Sequence, residues 1–588
     1  MIHVIWDEHK AFQAWEQGSP HYGHYFMELL HQLGFSHTVY STESWLRRLP
    51  PGLTIVLTLD NGTQAIAAIR AYCEAGNGIL TIGDTFGLDA VLGVVSLSKV
   101  QEGRIDWGDA PVAEGLHSSF RFFGGRLVEP RDCPTVYGEL LLPHATGSSY
   151  PAYTLRPVQS GLAACLCVDL PRTFILLQQG LPVWKDGLPS PDGSALINDH
   201  VLKTDDACLL DWTQDRGCAD GEETPFFLHP ILDEFRIVLG HLLYSCHERL
   251  RLPLAQVWFW PGGLPGIGHI SHDTDGNFPT AAQLMLDSLA EAKVRSTWCI
   301  IAPGYDRTIM SRIESEGHEP AFHYNALESQ GGCWEEAEFV AQLDTIRQTI
   351  AIPDPILTNK NHFLRWEGYS EFYEWCERAG IRVEQSRGGT KQGNKGFLCG
   401  TCHPFRPVAE GGAGRNRLFP LYSMLTLAWD PPFPLRCTMN EARSILKRSR
   451  EVYGVAHFLF HPTLIERSPE VKPALLELVD YGRSQGLDWW TSRQIQEWLD
   501  ARRGVSVRPE TGKLVLTSDG ALASVTLLLN APVAELPTVG SVRQVRRFGH
   551  TLVELTLDLP AGDTEISLQA LNAAAPANDN DHVPVSPV

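Results

Sequence analysis

The chain has 588 residues, too many for one hydrophobic core, and at about 150 residues per domain it holds two to four. Apolar residues make up 43% and charged residues 20%, a globular balance, and a net charge of −21 argues against binding along a phosphate backbone. No run reaches the roughly 18 apolar residues of a membrane span, no leader pattern opens the chain, and the 13 cysteines are scattered through apolar runs, so a cytoplasmic protein with reduced thiols is expected.

Residues 1–250 alternate short apolar runs with amphipathic stretches. His3-Val-Ile-Trp6, Thr54 to Leu59 and Gly78 to Ile82 read as buried parallel strands, with helices over Tyr25 to Leu33 and Gln64 to Ala75 between them. That rhythm predicts an open, doubly wound α/β sheet. The Gly-, Pro- and Thr-rich part over 120–220 reads as hairpins and loops, and Pro230 to Leu243 as a closing helix.

Residues 251–503 repeat the strand–helix rhythm with more aromatics. Strands are expected at Ile267 to Asp273, Ser296 to Ile301, Glu319 to His323, Ile381 to Gln385 and Val455 to Phe460, and a last unit runs from Asp488 into the helix Ser492 to Leu499. Seven or so such units predict a (β/α) barrel, complete or missing a stave. From 504 to 571 the period changes to two, as in antiparallel strands, over Gly512 to Thr517, Ala523 to Leu529, Thr551 to Leu557 and Thr564 to Leu568. This is a small β domain, and the Ala-, Pro- and Asn-rich tail over 572–588 is expected to be disordered.

Chemistry concentrates at the inferred barrel's strand ends. Gly268-His-Ile-Ser-His272-Asp273-Thr-Asp275-Gly276-Asn277 puts two carboxylates and an imidazole at the end of an apolar strand. Two acids so close need a cation or a proton between them, which makes one a metal ligand and the other a base; an N-cap followed by an Asp-Gly turn is the plain alternative. His323, His362 with Arg365, Arg387 and His461 stand at later strand ends. One strand-end histidine alone reads as a cap, but recurrence on one face of one barrel favours a shared site.

In this order the motifs over about 250–500 resemble the polysaccharide deacetylases, carbohydrate esterase family four of the NodB-homology barrels, down to the closing Trp489-Trp490-Thr491-Ser492 element. The resemblance implies that Asp273 is the general base, Asp275 and His323 are metal ligands, and His461 in Phe458-Leu-Phe-His461-Pro is the general acid. Two departures follow. The family's second histidine falls on Leu327, so His362 is the replacement ligand, ahead of His403 and His272. The family's arginine motif is replaced by Asn361-His-Phe-Leu-Arg365-Trp, where Arg365 would orient Asp273.

The expected activity is therefore hydrolysis of an N-acyl group on a sugar or glycoconjugate with a divalent metal, zinc above all. Two rivals are a glycoside hydrolase pairing Asp273 or Asp275 with Glu319 or Glu367, and an inactive carbohydrate-binding protein. Residues 1–250 resemble class I glutamine amidotransferase-like domains around Tyr72-Cys73-Glu-Ala-Gly-Asn-Gly78, without the Gly-x-Cys-x-Gly elbow, so a non-catalytic role is expected there. Cys399-Gly-Thr-Cys402-His403 has no second pair and reads as a loop. One or two of the barrel's tryptophans are expected to line a glycan cleft, and the Gly-rich run 411–415 only weakly suggests phosphate binding.

Overall fold

The computed structural model describes residues 1–568 except 17–20, 61, 118–119, 133–134, 144–148, 188–192, 194–199, 350–354, 390, 392, 410–416 and 532–539. The Gly-rich run 411–415 and the tail 572–588 lie outside the described residues.

The N-terminal part is built on a nine-stranded sheet. Five strands are parallel, in the order His37–Tyr40, Ile2–Ile5, Leu53–Val56, Gly78–Ile82 and Gly161–Leu166. Four more continue antiparallel: Pro151–Val158, Thr135–Leu141, Glu102–Asp106 and Phe120–Phe123. The expected doubly wound sheet thus occupies only half the layer. Pro151–Val158 joins Gly161–Leu166 through a tight hairpin in place of a crossover helix, and such a turn can join only antiparallel strands. Cys73 sits in the helix Thr63–Glu74, fully buried, with its thiol pushed up to about 12 by burial, which suits packing and not nucleophilic attack.

In the central part, consecutive parallel strands run Ile267–Asp273, Thr297–Ile301, Glu319–Tyr324, Thr358–Asn361, Val383–Glu384 and Tyr422–Ser423. On its other edge Ile267–Asp273 pairs with Val455–Leu459, which pairs with Ala428–Trp429. Tyr422–Ser423 and Ala428–Trp429 belong to one short segment, so a single stretch of chain pairs with both edges of this curled parallel sheet, which holds nine strands among the described residues. Asp488–Trp489 wedges in beside the start of Ile267–Asp273, where Gly268 leaves room for the Trp489 ring. Apolar side chains fill the space between this sheet and its helices. Inside the ring the filling is polar: His269, Ser271, Lys360, Gln385 and His457 are all fully buried.

The C-terminal part forms two antiparallel sheets. One holds Val505–Glu510, Lys513–Ser518 and Gly562–Ser567; the other holds Leu522–Leu529, His550–Leu559 and Ser541–Arg547, extended by Ala255–Val257 from the start of the central part. Ser541–Arg547 escapes the period-two reading because it is an edge strand, exposed along most of its length. One apolar core runs from the N-terminal sheet through the helix Ile231–Arg249 into these strands. The chain before 251 also touches the barrel rim, through bridges Val183 to Gly368 and Lys203 to Arg365. Among the described residues no helix is long and apolar enough to cross a membrane.

Candidate active site

The side chains of the site stand in the last residues of parallel strands or just past their carboxyl ends, where loops begin. Asp273 ends Ile267–Asp273, and Asp275 follows in a tight loop with left-handed backbone, φ 50°. That loop is pinned: the Thr274 hydroxyl donates to Asn277 Oδ1 at 2.7 Å, and Asn277 Nδ2 donates to the Ile301 carbonyl at 2.8 Å. His323 lies in Glu319–Tyr324, and His362 opens a short turn after Thr358–Asn361 in which Phe363 and Leu364 are also left-handed, φ 57° and 52°. Three constrained residues at one rim mark a place where the fold holds side chains against local preference.

Asp275, His323 and His362 present one oxygen and two nitrogens, all within 4.8 Å of one another. His323 Nε2 and His362 Nδ1 stand 3.6 and 3.3 Å from Asp275 Oδ1 and 3.1 Å from each other. The His323 Nδ1–H donates to the Lys360 carbonyl at 2.8 Å, which turns the Nε2 lone pair into the site. Burial would raise the Asp275 carboxyl, but His323, His362 and the charge of His461 outweigh it and hold it well below the usual carboxylate range. Burial lowers His362. Two imidazole nitrogens converge on a buried carboxylate oxygen that has no hydrogen-bond partner, a donor set that fits a divalent cation of the zinc type.

Asp273 and His461 flank this set. Asp273 Oδ2 is 4.0 Å from His323 Nε2, while its Oδ1 faces Lys360 Nζ at 3.4 Å and makes no hydrogen bond. His461 Nε2 is 3.8 Å from Asp275 Oδ2. Its Nδ1–H donates to Asp430 Oδ2 at 2.7 Å, and its backbone N–H donates to Asp430 Oδ1 at 2.8 Å. Although burial opposes the charged form, Asp430 and then Asp275 and Asp273 raise His461 to about 9. These groups open onto a cavity of about 450 Å³. Trp429, the exposed Phe363 and Lys203 contribute to its wall, and Lys203 Nζ lies 5.7 Å over the Phe363 ring.

The remaining candidates are used elsewhere. Arg365 pairs with Glu367 and with the Ala326 carbonyl, so the cation against Asp273 is Lys360 and not the expected arginine. Both ring nitrogens of His272 are engaged, with the Phe460 carbonyl and Ser296 Oγ, and His403 Nε2 bonds the Val452 carbonyl. Glu319 is buried against the Thr297 and Thr358 hydroxyls, and Glu367 is held by Arg365, so neither supplies the second carboxylate that glycoside hydrolysis needs. Cys402 packs against Asp233. The sequence reading missed Lys360 and Asp430. Lysine among the polar residues of Thr358-Asn-Lys-Asn361, and aspartate directly after Ala428–Trp429, were the available signals.

No family model and no curated protein matches this chain. Among solved structures, the carbohydrate deacetylase Agd3 is similar over 96% of this chain and 98% of its own, at 9% identity and a TM-score of 0.39. The Xyl-CE4 domain of a multidomain xylanase from the hindgut metagenome of Trinervitermes trinervoides aligns with 40% of this chain and 92% of its own, at 11% identity and TM-score 0.27. A β-galactosidase from Rahnella sp. R3 aligns with 28% of each chain, at 16% identity and TM-score 0.24.

Proposed function

We propose that residues 251–503 carry a metal-dependent hydrolase that removes an N-acyl group from an amino sugar within a carbohydrate or glycoconjugate. The observation that carries this reading is the convergence of Asp275, His323 and His362, with Asp273 on one side and His461 on the other. A divalent cation held by the three would polarise the acyl carbonyl and acidify water. Asp273, whose Oδ1 is held by Lys360 and whose Oδ2 faces His323, accepts the proton of the attacking water on Oδ2. His461 keeps its Nδ1 proton on Asp430 and presents the Nε2 proton to the departing amine. The exposed Phe363 ring at the cavity wall offers a face on which a pyranose can stack.

The test is metal content measured together with acetate release from N-acetylglucosamine oligomers. Wild-type protein is expected to hold about one divalent ion per chain and to lose activity on chelation. The Asp275→Asn variant should lose the ion, whereas Asp273→Asn should keep it and lose at least about 10²-fold in turnover. Activity that survives chelation, or an ion retained by Asp275→Asn, would overturn the reading.

A further inference from the structure

A second cavity, of about 470 Å³, opens in the N-terminal part at the carboxyl ends of the parallel strands. Leu57, Gly83 and Asp169 line it from the loops after Leu53–Val56, Gly78–Ile82 and Gly161–Leu166. It lies where the strand order reverses, since His37–Tyr40 and Leu53–Val56 flank Ile2–Ile5 on opposite sides. Crevices at such reversals are the usual ligand sites of open α/β sheets, because diverging loops leave a groove above the strand ends.

The charges in this crevice are unevenly spent. Asp84 is neutralised by Arg126, whose guanidinium donates to its two oxygens at 3.2 and 2.7 Å. Asp169 Oδ1 caps the helix Leu170–Gln179 by accepting from the Arg172 N–H at 3.1 Å. The side chain of Arg172 is a different matter: it lines the cavity, yet its buried Nε–H finds no acceptor. Lys99 stands at the exposed rim of the same cavity. Gly124, φ 81°, keeps the floor open, because a side chain there would meet Arg172 Cδ and Asp169 Cβ at 3.1 Å each. An orphaned buried guanidinium N–H in a cavity that also takes a lysine on its wall calls for an anion, and a carboxylate lining the same cavity calls for hydroxyl donors.

We propose that this crevice is a second ligand site, separate from the barrel, for a small hydroxylated molecule bearing one carboxylate or phosphate group. Arg172 and Lys99 take the anionic group, and Asp169 accepts hydroxyl hydrogens. The proposal stands independently of the barrel's activity.

Isothermal titration of the full-length protein at fixed ionic strength tests it, with glucuronate and glucose 6-phosphate as probes and glucose as the neutral control. At least one anion should bind saturably, about tenfold or more tighter than glucose, and the tighter of the two identifies the group preferred. Arg172→Gln and Lys99→Gln should each weaken that binding about tenfold, Arg172→Lys should weaken it less than Arg172→Gln, and Asp275→Asn in the barrel should not change it. Lys99 is exposed, so its replacement keeps the test valid should Arg172→Gln fold poorly. The proposal is overturned if neither anion binds saturably, if both cation variants bind as wild type does, or if Asp275→Asn abolishes binding.

Discussion

A lysine sealed inside a barrel must spend its charge, and Lys360 spends it on Asp273 Oδ1 at 3.4 Å and on the Ser271 hydroxyl. It is a positioning residue: it fixes the face of the carboxylate that meets water. Replacing Lys360 by Met should lower kcat about 10- to 100-fold with bound metal unchanged, and steady-state rates beside metal analysis check it. Asp430 plays the same part behind His461. Asp430→Asn keeps the shape but removes the charge that favours the imidazolium, so turnover should drop about 10²-fold while KM holds. The side chains that face the cavity were legible because they stand at strand ends in recognisable order. Their supports were not, since Lys360 acts from within a strand and Asp430 follows a strand of two residues that leaves almost no periodicity.

Among elements, the long parallel strands could be read because buried strands flanked by helices are continuous apolar runs. The segment that joins Val383–Glu384 to Val455–Leu459 could not, because its pairing depends on long-range neighbours rather than on its own pattern. The end of the ring nearest Asp488–Trp489 offers a mechanical test. A methyl group on Gly268 would come within 2.6 Å of the Trp489 ring, which is packed and cannot withdraw. Gly268→Ala should therefore cost about 1–3 kcal/mol by overpacking, read as a lower urea midpoint with an unchanged slope. An unaltered midpoint would mean that the ring moves freely there.

Across the molecule, buried histidines set the pH range of stability. Burial pushes His247, His269 and His272 down to about 3 and His403 down to about 4, from 6.5 in the unfolded chain. Because these groups stay neutral when folded and charge when unfolded, they cost no stability above pH 6.5 and progressively more as pH drops toward the folded values. Each removes about 1.4 kcal/mol per pH unit in that window. Scanning calorimetry should show Tm falling steeply once the pH is below 6.5, and a Tm constant from about pH 7 to 5 would contradict this burial. The bridges Val183 to Gly368 and Lys203 to Arg365, with Lys203 over Phe363, have a different consequence. One bank of the cleft over Asp273 and Asp275 is encoded upstream of residues 251–503. Recombination that moved residues 251–503 into another gene would carry the reactive groups but leave that bank behind. A relative with an altered cleft should therefore differ in both stretches.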